Sequence, residues 1–264
     1  MDTTYDIGTV LKDAVGLELQ PVYILGSNAI PESSVPLTTY DRCIAKVMFW
    51  LAGHGKRPAI YLSEDQVEKG CAGGMTYCGF CEANPMIKYF IANGTPEYRN
   101  GMAEYLRVDP ETAEESAART GKKKAPKENL LFVRADKVKE LNLKENEVLA
   151  ITCFGTAEQI RNLSALVHYR NTDIFQNVIT AVGPACSTLV TYPAGLAENA
   201  PKNSAYTGPA DPTGNEWFPP NYMAIGIPIK LAKQMAEDVP KSFLTLRPQV
   251  AIPTERVELY APER

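Results

Sequence analysis

Val148-Leu-Ala-Ile-Thr-Cys153-Phe154-Gly155-Thr156 reads as a buried strand that runs into a glycine turn. Thr156 is placed to cap the helix that follows, whose apolar residues Ile160, Leu163, Leu166 and Val167 fall at helical spacing. A strand feeding a helix through a tight turn is a building unit of α/β folds, and the crevice beyond the strand end is where such folds bind ligands. Cys153 stands at that place.

Working outward, Leu130 to Val133 is a second strand, joined to the first by a short helix from Ala135 to Leu141. Leu17 to Leu25, Ala59 to Leu62, Val178 to Val182 and Met223 to Ile227 complete the strand patterns. Residues 2 to 16 form an amphipathic helix on Ile7, Val10, Leu11, Ala14 and Val15. Thr38 or Thr39 is placed to cap a helix that buries Ile44, Val47, Met48 and Leu51 at i, i+3, i+4 and i+7, with Cys43 at the edge of that face. Asn84 and Pro85 open a helix through Ile91 and Ala92, and Pro228 opens a last one on Ile229, Leu231, Ala232 and Met235. Residues 107 to 129 read as a surface helix and a mobile basic loop ending in Lys122-Lys123-Lys124, a solvated run. The expected fold is α/β or α+β, a mixed sheet covered by helices with long proline-rich loops. It forms a single domain over 1–264, or two lobes at about 1–129 and 130–264.

Composition narrows the functional classes. A net charge of −4 and short basic clusters without interleaved aromatics argue against nucleic acid as a partner. No apolar run approaches a membrane span, and the first residues, Met-Asp-Thr-Thr-Tyr-Asp, lack the pattern of a signal peptide, so a cytoplasmic protein without membrane insertion is expected. With only two histidines, a His-rich metal centre is excluded and most general-base schemes lack a candidate. No Ser–His–Asp, phosphate-loop or HExxH pattern is present. Six cysteines in such a chain favour thiols or metal ligands over a disulfide framework.

Three of those cysteines fall in Cys71-Ala-Gly-Gly-Met-Thr-Tyr-Cys-Gly-Phe-Cys81, at C-x6-C-x2-C. Thiolates are soft ligands for zinc, copper and iron–sulfur clusters, and two intervening residues let both sulfurs of a pair reach one centre. Gly73 and Gly74 would let the backbone wrap closely around such a group. The expected metal set is Cys71, Cys78 and Cys81, with Cys43 as fourth ligand, or Cys186 in its place. A [4Fe–4S] cluster leads and zinc is the alternative. The bland reading, small buried hydrophobes, also stands. So does a redox dithiol at Cys78/Cys81, although Gly79-Phe80 between the thiols and a following helix that opens only near Pro85 suit it poorly.

Later in the chain, Gly183-Pro-Ala-Cys-Ser-Thr188 is either a turn holding an anion or metal edge, or one with helix-capping hydroxyls. Trp217, Phe218 and Tyr222 in a proline-rich loop offer an aromatic lining for a small molecule or cofactor. His54, Lys56 and Arg57 form a polar cluster best read as a solvated helix end, and His168 as a cap or surface residue. The tail from Thr245 onward is extended and suited to packing on a partner subunit, so a homo-oligomer is possible.

The order of these segments resembles the uncharacterised family known as domain of unknown function 169, found largely in archaea and anaerobic bacteria. The residues that carry the resemblance are Arg42-Cys43-Ile44, Cys71-Ala-Gly-Gly74, Gly183-Pro-Ala-Cys186 and Gly226-Ile-Pro228. The resemblance supplies no reaction. It implies that Cys43, Cys71 and Cys186 are the family-type cysteines and can converge in space. The chain departs from the family in having Cys78 and Cys81 where apolar residues are more typical. It also carries Asp211-Pro-Thr-Gly-Asn215 where a basic Gly-Asp-Arg element is expected.

Three functions follow. The first is an iron–sulfur or other cysteine-ligated metal protein serving electron transfer, with a redox partner protein or enzyme complex. The second is a non-catalytic binder of a small molecule or cofactor. The third is a thiol redox enzyme.

Overall fold

The computed structural model describes residues 4–54, 58–121, 124–141, 143–144, 147–209, 211, 214 and 216–246. The Lys56–Arg57 part of the polar cluster, Lys122 and Lys123, and the tail beyond residue 246 lie outside the described residues.

The elements run α1 (Ile7–Val15), β1 (Val22–Ser27), β2 (Val35–Pro36), α2 (Ile44–His54), β3 (Ala59–Ser63), α3 (Ala72–Tyr77), α4 (Ile87–Ile91) and α5 (Pro110–Arg119). They continue with β4 (Asn129–Arg134), β5 (Val148–Thr156), α6 (Ala157–Val167), β6 (Val178–Ile179), a π-helical turn (Ser187–Thr191), β7 (Ala205–Gly208), β8 (Tyr222–Pro228) and α7 (Ile229–Asp238). One eight-stranded sheet has the order β2-β3-β4-β1-β5-β8-β7-β6. Its centre is antiparallel, and only the edge pairs β2–β3 and β6–β7 are parallel. The fold is thus α/β with a mixed sheet. Because β1 lies between β4 and β5, strands from either side of residue 129 share that sheet.

Period-two alternation sends successive side chains to opposite faces of the sheet. Tyr23, Leu25, Leu131, Val133, Ile151, Cys153, Ile225 and Ile227 face α1, α6 and α7. Val22, Ile24, Leu130, Phe132, Ala150, Phe154 and Ala224 face α2, α3 and the π turn. Both faces are covered, so β1 is buried along its whole length. The β5–α6 turn forms as expected: Thr156 and Gln159 make a reciprocal capping box, closed by a 2.8 Å bond from the Thr156 N–H to Gln159 Oε1.

Three expectations are corrected. Thr38 and Thr39 do not cap α2. They sit in a 3-10 turn over Leu37–Thr39, Thr38 donates to Gln66, and the carboxylate of Asp41 takes the Cys43 N–H at 2.9 Å just before the helix. The helix expected from Ala135 shortens to one 3-10 turn, Val138–Leu141, because the Ala135 N–H bonds back to the Pro21 carbonyl. Finally, the neighbours of β5 are antiparallel, so no switch-point crevice opens at its end. Cys153 is fully buried in the core, and its thiol is pushed up to about 12 by burial.

A thiol-lined cavity as candidate functional site

The cysteine stretch is not a loop. Ala72–Tyr77 is one short helix with Cys71 at its N-cap and Cys78 at its C-cap, so neither Gly73 nor Gly74 takes a left-handed conformation; Gly79, just past the end, does at φ 83°. Seven helical steps separate Cys71 from Cys78 by about 10 Å along the axis. What Gly74 supplies is proximity: a Cβ built there would stand 2.8 Å from Ile44 Cδ1, so α3 lies directly against the start of α2. The Cys71 N–H also donates to the Arg42 carbonyl at 3.0 Å. These two contacts bring Cys43 and Cys71, far apart in sequence, side by side.

The π turn delivers the third thiol. Cys186 immediately precedes it, and its wide ladder shows in the bonds Tyr192 N–H to Ser187 O and Leu196 N–H to Thr191 O, both 2.9 Å. The hydroxyls of Ser187 and Thr188 donate to the carbonyls of Pro184 and Ala185 three residues back, so they neither cap the turn's N–H groups nor point at an anion. Thr152 of β5 donates to Leu189 O at 2.7 Å, and Thr191 to Tyr77 O at 2.7 Å, fixing the turn to the sheet and to α3. Gly226 of β8 lets the turn approach: a Cβ there would lie 2.9 Å from Thr188 O. All four segments of the family-type pattern therefore meet at one place.

The first three of these segments line a cavity of about 210 Å³, opened by Cys43, Cys71 and Cys186, while Gly226 backs the turn that carries Cys186. Ile44, Ile87, Phe90 and Ile91 give it an apolar wall, and Arg99, Glu104 and Asp211 a polar end. The Arg99 guanidinium lies 4.3 Å over the Phe90 ring. The segment bearing it is held in an uncommon shape, with positive φ at Arg99 (53°), Asn100 (54°) and Tyr105 (54°). Backbone bonds from Glu104 to Phe90 O at 2.7 Å and from Tyr105 to Ala92 O at 3.0 Å hold it against α4. Such conformations persist where surrounding structure imposes them, and they cluster at functional sites.

Electrostatics divides the cavity. Burial raises the Cys43 thiol and lifts Cys186 well above its ordinary value, with the neighbouring thiols adding to both shifts. At the other end, burial and the charge of Asp211 push Glu104 up to about 7 against the opposing pull of Arg99. Glu104 therefore exchanges a proton near neutrality.

The other expected residues fall elsewhere. Cys78 is fully buried behind the cavity, at about 12, and Cys81 lines a separate depression with Thr76, Gly79 and Phe80. The two thiols of that pair thus face different surroundings. Gly73 and Gly74 both border the cavity. Trp217 and Phe218 pack on each other and on Phe49, with ring centroids 5.3 to 5.9 Å apart, and Tyr222 joins the same cluster at 6.1 Å from Phe49. None of the three lines the thiol cavity. His54 is exposed at the end of α2, and His168 caps α6 with Nδ1 buried and lacking a hydrogen-bond partner. The sequence reading passed over Arg99, Glu104 and Tyr77; the Arg-Asn-Gly turn at 99–101 offers no signal beyond a tight bend.

Among the described residues, no group of three or more His, Cys, Asp or Glu side chains is placed to hold a metal ion. As positioned, then, the donors do not fit a single zinc ion. Nor, among those residues, is any helix long and apolar enough to cross a membrane.

No curated protein and no solved structure matches the chain. The sequence model of domain of unknown function 169, described as uncharacterised ArCR, matches residues 10–238, and the chain belongs to that family.

Proposed function

We propose that the protein binds a small organic ligand or cofactor in the thiol-lined cavity, as a cytoplasmic protein whose thiols stay reduced. The observation that carries this reading is the convergence of Cys43, Cys71 and Cys186 with Arg99, Glu104 and Asp211 on one space of about 210 Å³. An apolar wall with a few convergent polar groups is the usual form of a ligand pocket. One guanidinium beside two carboxyl groups suits a ligand carrying both an acidic and a basic group, such as an amino-acid zwitterion. The thiol wall suits a soft, sulfur-containing body.

Titration calorimetry with zwitterionic and sulfur-containing small acids tests this. Arg99→Gln should weaken binding of the acid group about 10- to 100-fold, the worth of a charge-assisted hydrogen bond. Ile91→Trp, which fills the cavity, should abolish binding. Failure of every such compound to bind at millimolar concentration would overturn the reading.

The three soft donors on one cavity also favour a second reading, an iron–sulfur cluster held by Cys43, Cys71 and Cys186, with a redox partner protein or enzyme complex. When bound, such a group supplies one-electron transfer. Burial leaves the Cys43 and Cys186 thiols without a compensating positive charge, which is the chemistry a cluster would answer. Iron, sulfide and zinc analysis after anaerobic preparation tests it. Cys43→Ser and Cys186→Ser should release the metal and Cys81→Ser should not.

A further inference from the structure

We infer that Cys43 and Cys71 form a redox-active dithiol that exchanges with a low-molecular-weight disulfide admitted to the cavity. The inference rests on the proposal that the cavity takes a small ligand, and it adds an activity to it.

Backbone geometry carries the argument. The 3.0 Å bond from the Cys71 N–H reaches the carbonyl of Arg42, the residue next to Cys43. Standard backbone dimensions then hold the two Cα atoms within about 7 Å of each other. Disulfides span Cα separations of about 4.4 to 6.8 Å, so this pair can close with little movement. Both residues stand at the start of a helix, Cys43 before α2 and Cys71 before α3, each fixed there by a carbonyl that accepts the first rung of the ladder, from the Val47 N–H at 3.1 Å and the Met75 N–H at 2.9 Å. Both thiols open on the same cavity, are free, and lie within electrostatic range of one another. By contrast, Cys78 is enclosed in the core and Cys81 borders another depression.

Exposure assigns the order of attack, since Cys71 is exposed and Cys43 is partly buried. The Cys71 thiol gives its proton to solvent and the thiolate attacks one sulfur of the disulfide RS–SR′. An S–S bond forms to R, the RS–SR′ bond breaks, and R′S⁻ leaves and is protonated. Cys43 then loses its proton and attacks the Cys71 sulfur of the mixed disulfide, closing Cys43–Cys71 and releasing RS⁻, which is protonated in turn. The two protein thiols are oxidised by two electrons, the substrate disulfide is reduced to two thiols, and the proton count balances. Cys186 remains a thiol.

The experiment uses the full chain, reduced and kept anaerobic, with hydroxyethyl disulfide as probe. After reaction, free thiols are alkylated and the digested protein is analysed by mass spectrometry. The expected product joins the Cys43 and Cys71 peptides with loss of two hydrogens, and releases two equivalents of mercaptoethanol. Cys43→Ser should stall with the probe attached to Cys71, Cys71→Ser should release no thiol, and Cys81→Ser should react as the parent chain does. Cys43→Ala, checked for fold by circular dichroism, separates loss of the thiol from loss of structure. Thiols at 43 and 71 that both stay alkylatable at equilibrium with excess probe would overturn the inference, as would a disulfide joining a different pair. Calorimetry of a non-redox zwitterion on the reduced parent chain reads the binding proposal separately, so either idea can fail alone.

Discussion

The hydroxyl of Thr191 donates a 2.7 Å hydrogen bond to the carbonyl of Tyr77, tying the π turn to the last residue of α3. Thr191 is fully buried. This bond therefore sets the distance between the segment that carries Cys186 and the helix that begins after Cys71. Thr191→Val keeps the shape and removes the donor, at an expected cost of about 1–3 kcal/mol in urea unfolding. A loss below about 0.5 kcal/mol would show that apolar packing alone holds the two segments together.

Gly226 and Gly53 should respond in opposite ways to alanine. A Cβ at Gly226 would meet Pro193 Cγ at 2.7 Å and the Thr188 carbonyl oxygen at 2.9 Å, and that backbone oxygen cannot swing aside. Gly226→Ala is expected to cost about 1–3 kcal/mol by overpacking and to weaken ligand binding by displacing the π turn. At Gly53, inside α2, the nearest atom is Leu19 Cδ2 at 3.4 Å. Gly53→Ala should leave stability unchanged or raise it by up to about 1 kcal/mol. Parallel denaturation curves check both.

Met48 is wholly enclosed between α2 and the sheet, among Ile44, Leu51 and Phe132. Met48→Ala is expected to cost about 2–5 kcal/mol, the range for truncating a large core side chain. Chemical denaturation reads this directly, and an effect near zero would place the α2 face at an interface instead.

Glu104 gives the protein a pH signature. Its carboxyl is raised from 4.5 to about 7 by burial and by the charge of Asp211. The folded chain thus holds a proton that the unfolded chain has already released, and this contribution to stability is complete below pH 4.5. It is lost as pH rises from 4.5 through 7, because the folded state binds more protons across that window. Glu104→Gln should remove this downward component, so the stability difference between variant and parent should grow in favour of the variant from pH 5 to pH 8. Thermal melts across that range, with a Glu111→Gln control on the exposed start of α5, check the sign.

The sheet and its helices were legible because they rest on local patterns. The apolar stripe on Ile44, Val47, Met48 and Leu51 and the Thr156–Gln159 cap depend on spacing within a dozen residues, and both formed. The assembly of thiols was not legible in the same way. C-x6-C-x2-C looks like one centre when read as a string, yet a helix over Ala72–Tyr77 turns it into two ends and an outlier. The cysteines that do share a cavity are those separated by tens of residues. Their meeting depends on contacts such as Gly74 against Ile44 and Gly226 against Thr188 that no local pattern reports. Arg99 and Glu104 were missed for a related reason. Their chemistry comes from a backbone fold-back onto α4 and from burial, neither of which has a composition signal.

A π turn is an α-helical turn carrying one residue more than the α ladder accommodates. Deleting a single residue between 187 and 191 would let the segment relax to ordinary α geometry, turning whatever precedes it by about 100°. β7 and β8 both follow that segment and β5 precedes it, so the pairings of β7 with β8 and of β8 with β5 would keep their register. Cys186 would be carried away from Cys43 and Cys71 while the sheet stayed whole. Chain length at this one point is therefore a discrete setting: with the extra residue the third thiol faces the cavity, and without it the same scaffold stands with two.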